Sequence, residues 1–447
     1  MNSPRIVTKP PGPKAQRIIA QDKKYMSPSY TRSYPLVVSR ARDCFIEDVD
    51  GNIFLDMTSG IAVVSTGHCH PEIVKAIRDQ AEKFLHMSGT DFYYSAESRL
   101  AQRLSGLLPG TWKVFFSNSG TEAIEAAMKL ARYHTRRQRI IAFAGAFHGR
   151  TYGSLSLTSS RAGQRMHFSP LVPGVTHAIF PNPYRPILAQ GKEKDIGKAC
   201  LEYLSEIVLK KIAPADEVAA IIVEPIQGEG GYIVPPKGFL AGLRKICAEH
   251  GILLIFDEVQ SGIGRTGRMF AFQHFGVEPD IICLAKGIAS GMPLGAMLAK
   301  AKIMDWPRGA HASTFGGNPV CCAAAYETIN LVEKRLVKNA ASTGRYLLAG
   351  LRKLQRTSRA IGDVRGLGLM VGVEFVRDKK SKIPAPDIVD NVIQRCFRKG
   401  MLMLSCGESA IRFCPPLTIT RKHIDTALEI FRSAVKEAEG RGKGKRR

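Results

Sequence analysis

Lys286 follows the apolar run Ile281-Ile282-Cys283-Leu284-Ala285, and Asp257 closes a second one, Leu253-Leu254-Ile255-Phe256. Short continuous apolar runs of this kind read as buried strands. One strand therefore delivers an amine and another a carboxylate. A lysine can hold an aldehyde cofactor as a Schiff base, while an aspartate keeps the ring nitrogen of that cofactor protonated. Either residue alone is bland, and a lysine closing a strand is usually a solvated end. The pair gains weight because other parts of a phosphate-bearing pyridine site occur in the same chain.

Phe116-Ser117-Asn118-Ser119-Gly120-Thr121-Glu122 leaves a strand and opens a helix, and Ser119 and Glu122 have capping-box spacing. Free amides and a positive dipole end make an anion site there, Gly120 gives close approach, and the hydroxyls of Ser119 and Thr121 add donors. Ala146-Phe147-His148-Gly149-Arg150 follows another strand; Phe147 offers a ring for stacking on a planar heterocycle and Arg150 a fork for a carboxylate. Glu224-Pro225-Ile226-Gln227-Gly228-Glu229-Gly230-Gly231 leaves a third strand as an open loop presenting two carboxylates. All these groups fall at the carboxyl ends of strands, where open α/β sheets bind ligands. Gly262-Ile263-Gly264-Arg265-Thr266-Gly267 fits the dinucleotide-binding glycine pattern, with Asp280 downstream. Residues Asp257–Gln260 separate it from its strand, so the strand–turn–helix geometry of a nicotinamide site is not expected.

The elements that must position these groups follow from periodicity. Residues 1–35 are proline-rich and basic, with a helical pattern at Ala15–Lys24, and Phe45–Asp56 reads as a hairpin turning at Asp50-Gly51. From about residue 71, strands (Val114–Ser117, Ile140–Ala144, Ala220–Val223, Leu253–Phe256, Ile281–Leu284) alternate with helices such as Glu122–Tyr133 and Phe239–Glu249. That alternation predicts an α/β fold with a mostly parallel central sheet covered on both faces. Near residue 330 a long helix leads to Val371–Phe375, a helix at Ile388–Lys399 and Ile411–Cys414, a second and smaller unit. The expected organisation is a large domain over 71–330 and a smaller α+β domain built from both chain ends, 1–70 and 331–440, followed by a basic tail at 441–447.

The chain has 447 residues, 45% hydrophobic and 23% charged, which suits a soluble globular protein. No apolar stretch approaches the roughly 20 residues that span a bilayer, and the N-terminus lacks the apolar core of a secretory signal. A cytoplasmic location is expected, with the ten cysteines as mostly buried free thiols. Gly67-His68-Cys69-His70 crowds its ligands too closely for an ordinary zinc knuckle and has no second half, so no metal is assigned. The net charge of +25, partly in Arg441–Arg447, is read as a solvated tail and an environment for anionic substrates. No aromatic stripe interleaves it, and nucleic acid is not expected as a partner.

These residues resemble the class III pyridoxal-phosphate-dependent aminotransferases of fold type I. The resemblance runs from about Asp50 to Ala434. Its signature is Leu254-Ile255-Phe256-Asp257-Glu258-Val259-Gln260, then Gly264-Arg265-Thr266-Gly267, then Leu284-Ala285-Lys286-Gly287. Ser119–Ala123, Phe147–Thr151 and Thr314-Phe315-Gly316-Gly317-Asn318-Pro319 support it. The resemblance implies pyridoxal 5'-phosphate as cofactor, held covalently by Lys286, which also shuttles the substrate proton. It implies Asp257 on the ring nitrogen, Gln260 on the ring hydroxyl, Phe147 on the ring face beside His148, and Ser119, Gly120 and Thr121 on the phosphate. Thr314 is expected to reach a phosphate in a partner subunit, which implies a homodimer or a dimer of dimers.

Within the family, the chain is most similar to the 4-aminobutyrate branch. Arg412, in Ile411–Leu417, matches the arginine that takes the α-carboxylate of glutamate, and Glu229 the acid that neutralises it when the donor has none. Arg150 would then hold the distal carboxylate, and Ile61, in Gly60-Ile61-Ala62-Val63, stands where ornithine aminotransferases tend to carry tyrosine. The expected reaction is ping-pong transfer of an amino group from an amino or ω-amino acid, 4-aminobutyrate by preference, to 2-oxoglutarate. Two alternatives stay open: a broad-specificity amino acid racemase using the same lysine, and an ornithine or acetylornithine aminotransferase.

Overall fold

The computed structural model describes residues 1, 3–188 and 196–440. The basic tail foreseen at 441–447 lies outside them. Fifteen strands occur among the described residues. In chain order they are β1 (Val38–Arg42), β2 (Phe45–Asp48), β3 (Ile53–Asp56), β4 (Trp112–Ser117), β5 (Arg139–Phe143), β6 (Val175–Ala178), β7 (Val218–Val223) and β8 (Leu253–Asp257). They continue as β9 (Ile281–Leu284), β10 (Gly295–Lys300), β11 (Ile361–Leu367), β12 (Met370–Phe375), β13 (Met401–Leu402), β14 (Leu404–Cys406) and β15 (Ala410–Phe413).

The central sheet has the order β4-β10-β9-β8-β7-β5-β6. Every residue of β7, β8 and β9 is buried. That explains why these strands are apolar without alternation: helices cover both faces of the sheet, so neither row of side chains meets water. The strands from β6 to β9 pair in parallel. β10, which the sequence did not reveal, runs antiparallel to both β9 and β4. The sheet is thus mixed, with one reversed strand that leaves β4 pointing the same way as β9.

The helix Gly120–Thr135 buries Ala123, Ile124, Ala127, Met128, Leu130 and Ala131, small and apolar at helical spacing, against the sheet. Two further sheets build the rest. β1-β2-β3-β13 combines strands from both chain ends, with β3 and β13 parallel, and β11-β12-β15-β14 is antiparallel. The helix Val337–Thr357 packs beside β11 through Ala340, Leu347, Leu351 and Leu354.

Two local features tie these units together. Ser59, Gly60, Ile61 and Ala62 all have positive φ, between 43° and 69°, making one left-handed turn. Such a conformation costs roughly 1–2 kcal/mol per non-glycine residue and needs external support. Asp56 supplies part of it, accepting from Thr58 N–H (2.8 Å), Thr58 Oγ1 (2.7 Å) and Ser59 N–H (3.1 Å). The second feature is Arg265, 1% exposed, whose guanidinium donates to the carbonyls of Leu369 and Pro415 and to Ser59 Oγ. It therefore fastens the left-handed turn, the β11–β12 turn and the segment after β15 to one point.

The chain also crosses itself closely here. A Cβ on Gly344, inside the helix Val337–Thr357, would lie 2.1 Å from the Gly368 carbonyl oxygen. Gly344→Ala should therefore reverse the usual helix preference. Propensity alone favours alanine by about 1 kcal/mol, whereas the clash with rigid backbone should destabilise the protein by about 1–3 kcal/mol. Urea unfolding of the variant against wild type checks the sign.

Candidate active site

The carboxyl ends of β4, β5, β7, β8 and β9 converge on a cavity of about 460 Å³. Its walls come from Asn118–Thr121 after β4, Phe147–Arg150 after β5, Glu224 after β7, Asp257, Val259 and Gln260 after β8, and Ala285 and Lys286 after β9. Gly291–Leu294, which lead into β10, and Val63 close it. The expected amine, carboxylate and anion-binding helix start thus meet in one chamber.

Lys286 sits with φ +46°, a left-handed backbone that only a constrained non-glycine residue keeps. Its amine pairs with no described carboxylate. Burial, the leading cause, lowers its pKa from the ordinary lysine value; Asp257 opposes that, Arg412 adds to it, and Glu224 and Glu229 oppose it. A larger neutral fraction is what attack on an aldehyde requires. Asp257 is buried, with Oδ2 2.7 Å from His148 Nδ1 and Oδ1 accepting from Val259 N–H at 3.0 Å. A carboxylate offers about four lone-pair sites, so Asp257 can still accept from a ring nitrogen. The other nitrogen of His148, Nε2, is buried and unpartnered.

Gln260 is held by Tyr232, whose hydroxyl donates to its Oε1 at 2.7 Å, leaving the amide NH₂ group to donate. Tyr232, fully buried, was not foreseen as a support for the site. Nor was Glu224 singled out, although it ends its strand much as Asp257 does. Its carboxylate accepts from Phe147 N–H (3.2 Å) and Gly228 N–H (3.0 Å). Burial, reinforced by Asp257 and opposed by His148, pushes its pKa from 4.5 to about 7.

The phosphate loop differs in detail from its expected form. Ser119 caps the helix by accepting from Glu122 N–H at 3.4 Å, but Glu122 reaches back to Asn118 N–H instead of to Ser119. The reciprocal half of the box falls one residue early. The amides of Gly120 and Thr121 lie in the cavity wall with no intrahelical acceptor. Thr121 Oγ1 bonds Ser154 Oγ (2.5 Å) and Thr151 Oγ1 (2.8 Å). Gly120 is required for packing as well as access: a Cβ there would meet Val259 at 2.9 Å.

The substrate residues are placed less uniformly. Arg412, 5% exposed, donates through Nη1 to Glu229 Oε2 at 2.8 Å, and its Nε has no acceptor. Burial is the largest single effect and opposes its charge, but Glu229 together with Tyr232, Cys406 and Cys414 outweighs it, and the pKa rises above the usual arginine value. Breaking such a pair from one side costs about 3–5 kcal/mol. Arg150 is exposed at the cavity wall, its guanidinium 5.8 Å from the Phe147 ring centre. Ile61 does not line the cavity: it is 48% exposed on the left-handed turn, and Val63 takes the wall position. Thr314 is exposed and outside the cavity, in a loop anchored by Ser313, whose Oγ accepts from Gly316 N–H (3.0 Å) and Asn118 Nδ2 (3.2 Å). The glycines at 262–267 form turns beyond β8 and open no helix, so the nicotinamide pattern has no structural counterpart.

A pyridine aldehyde phosphate fits this chamber. A helix start offers free amides, an aromatic side chain and a buried carboxylate line the walls, and the amine stands at the mouth of β9. Comparisons with known proteins agree. Residues 25–435 match the family model for aminotransferase class-III. An alanine/serine racemase of Pyrococcus horikoshii is 41% identical, covering 98% of this chain and 94% of its own. A 4-aminobutyrate aminotransferase of Mycobacterium leprae is 39% identical, covering 96% and 97%. The crystal structure of the omega transaminase from Pseudomonas jessenii in complex with PMP superposes with a TM-score of 0.89 at 30% identity, covering 95% and 99%.

Glu224 gives this site a measurable signature. Its folded pKa exceeds the unfolded one, so between pH 4.5 and about 7 the native protein keeps a proton that the unfolded chain has lost. Stability should fall as pH rises through that window, by an amount on the order of 3 kcal/mol for this group. Glu224→Gln should flatten that part of the slope in urea unfolding of the apoprotein, whereas an unchanged slope would show that Glu224 stays ionised.

Proposed function

The chain belongs to the class-III aminotransferases, and from that premise we propose that it moves an amino group from 4-aminobutyrate or a related ω-amino acid to 2-oxoglutarate. Pyridoxal 5'-phosphate is the cofactor of this family, and when bound it supplies an electron-withdrawing ring that makes the Cα–H of an attached amino acid acidic. Lys286, with its lowered pKa, is the group that takes and returns that proton. Asp257 would keep a proton on the ring nitrogen by its negative charge, and His148 orients Asp257 through the 2.7 Å contact. Ser119, Gly120 and Thr121 would hold the phosphate, Phe147 would lie against the ring, and the amide of Gln260 would donate to the ring oxygen.

The observation that carries the substrate reading is the buried Arg412–Glu229 pair, 2.8 Å long, next to the reacting amine. An enzyme that alternates between a donor with one carboxylate and an acceptor with two needs a cation that can be neutralised from within. Arginine cannot lose its proton near neutral pH, so only an internal acid can do this. Arg150 would bind the distal carboxylate common to both substrates. Thr314, exposed beside Phe315 at 60% exposure, supports a homodimer or a dimer of dimers in which it reaches a neighbouring phosphate site.

The 41% identical alanine/serine racemase keeps a second reading in view. A racemase with this lysine would return the proton to the opposite face of Cα and would need no oxo acid.

Glu229→Gln should slow the half-reaction with 4-aminobutyrate by at least about tenfold, because it leaves Arg412 buried without an anion, while sparing that with glutamate. Arg412→Ala should chiefly raise the KM for glutamate. Single-turnover spectra with each donor separate the two effects. Rapid racemisation of neutral amino acids by wild type in chiral analysis, with negligible use of 4-aminobutyrate, would install the second reading. Sedimentation velocity at assay concentration should give a dimer or larger, and a fully active monomer would remove Thr314 from the site.

A further inference from the structure

Glu229 touches a second arginine. Its Oε1 lies 3.8 Å from Arg161 Nη2, while its Oε2 accepts from Arg412. Arg161 is half exposed, Glu229 mostly enclosed and Arg412 almost wholly so, and Arg161 forms no other ion pair among the described residues. At 3.8 Å the Arg161 contact is charge attraction without a hydrogen bond; the hydrogen bond of the carboxylate goes to Arg412.

Both ends of the contact are fixed at the backbone. Gly407 N–H donates to the Glu229 carbonyl at 2.7 Å. The segment that carries Arg161 is pinned by Ser159, whose N–H reaches the Ala146 carbonyl at 2.8 Å and whose Oγ donates to the Phe143 carbonyl at 3.1 Å. Only side chains need move. A shift of about 1 Å brings the Glu229 carboxylate within hydrogen-bond length of Arg161.

We propose that Arg161 is a specificity-determining residue, the second seat of a two-position gate in which Glu229 moves from Arg412 to Arg161 when a dicarboxylate enters. The inference rests on the reading that this site admits both mono- and dicarboxylic substrates. A substrate α-carboxylate approaching Arg412 meets Glu229 as a like charge. Without a second cation, Glu229 would be displaced into a mostly enclosed position with no partner, and that cost would be charged against dicarboxylate binding alone. Arg161 removes it. With 4-aminobutyrate the gate stays shut on Arg412, so Arg161 contributes nothing there.

The test uses the cofactor-loaded enzyme and two unreactive acids of equal length, glutarate and pentanoate, in titration calorimetry. Arg161→Gln should weaken glutarate by about three- to fivefold, the range for a partly exposed ion pair, and leave pentanoate within about twofold. Arg161→Lys should restore most of the glutarate affinity. In a Glu229→Gln background, Arg161→Gln should have no further effect, because no displaced charge needs a seat. Equal weakening of both acids, no weakening of either, or a loss that persists in the Glu229→Gln background would overturn the gate. In the last case Arg161 attracts the substrate directly. Wild-type protein that binds pentanoate but not glutarate would overturn the substrate reading and the gate together. Glutarate binding with an indifferent Arg161→Gln variant would overturn the gate and leave the substrate reading standing.

Discussion

Enclosing an amine costs its charged form hydration, and at Lys286 the charges that answer that cost, Asp257, Glu224 and Glu229, come from other segments, as does Arg412, which adds to it. None of these pairs with the amine. Asp257 is engaged with His148, Glu224 with two backbone amides, and Glu229 with Arg412. The amine is therefore surrounded by charge but unclaimed, a state that a folded chain keeps only when each neighbour is fixed elsewhere. Parallel strands make that possible, since their ends place side chains from remote parts of the sequence along one edge.

The reversed strand β10 adds a wall that parallel topology alone would not supply. After Lys286 the chain does not cross to the far edge. It turns back within ten residues, and Gly291–Leu294 line the cavity before β10 begins at Gly295. Gly295 pairs with Ser117, and a Cβ there would stand 2.2 Å from the Ser119 carbonyl oxygen. The strand start thus slides beneath the anion-binding helix start, and one glycine lets the two loops share a floor.

Much of this was legible in the sequence where chemistry and periodicity coincide. β9 matches its expected span of Ile281–Leu284, and β8 ends one residue later, at Asp257 itself. Ser119, Asp257, Gln260 and Lys286 were recognisable because each follows an apolar run with a turn residue nearby, and the structure brings them to one cavity. What the sequence hid depends on contacts across long separations. β10 carries no mark of its direction, since Gly-Ala-Met-Leu-Ala-Lys would serve a strand of either sense. Ile61 was named through the family resemblance alone, and its backbone conformation, four left-handed residues in a row, has no signature beyond Gly60. Glu224 stood in view at a strand end, but its raised pKa comes from burial by the folded chain, reinforced by Asp257, 33 positions away. Arg161 sits in an unremarkable polar stretch and acquires meaning only from Glu229.

Arg265 is a joint of an unusual kind, since its direct partners are carbonyl and hydroxyl oxygens and no carboxylate. Dissolved ions weaken attractions between exposed opposite charges, and acid removes them by protonating carboxylates. Surface pairs such as Lys75–Asp79 and Arg377–Asp387 are open to both. A guanidinium sealed from water and fastened to neutral oxygens offers counterions no access and acid no group to titrate. The joint that carries the left-handed turn and the segment following Arg412 therefore keeps its shape across changes in salt and pH that loosen the surrounding surface.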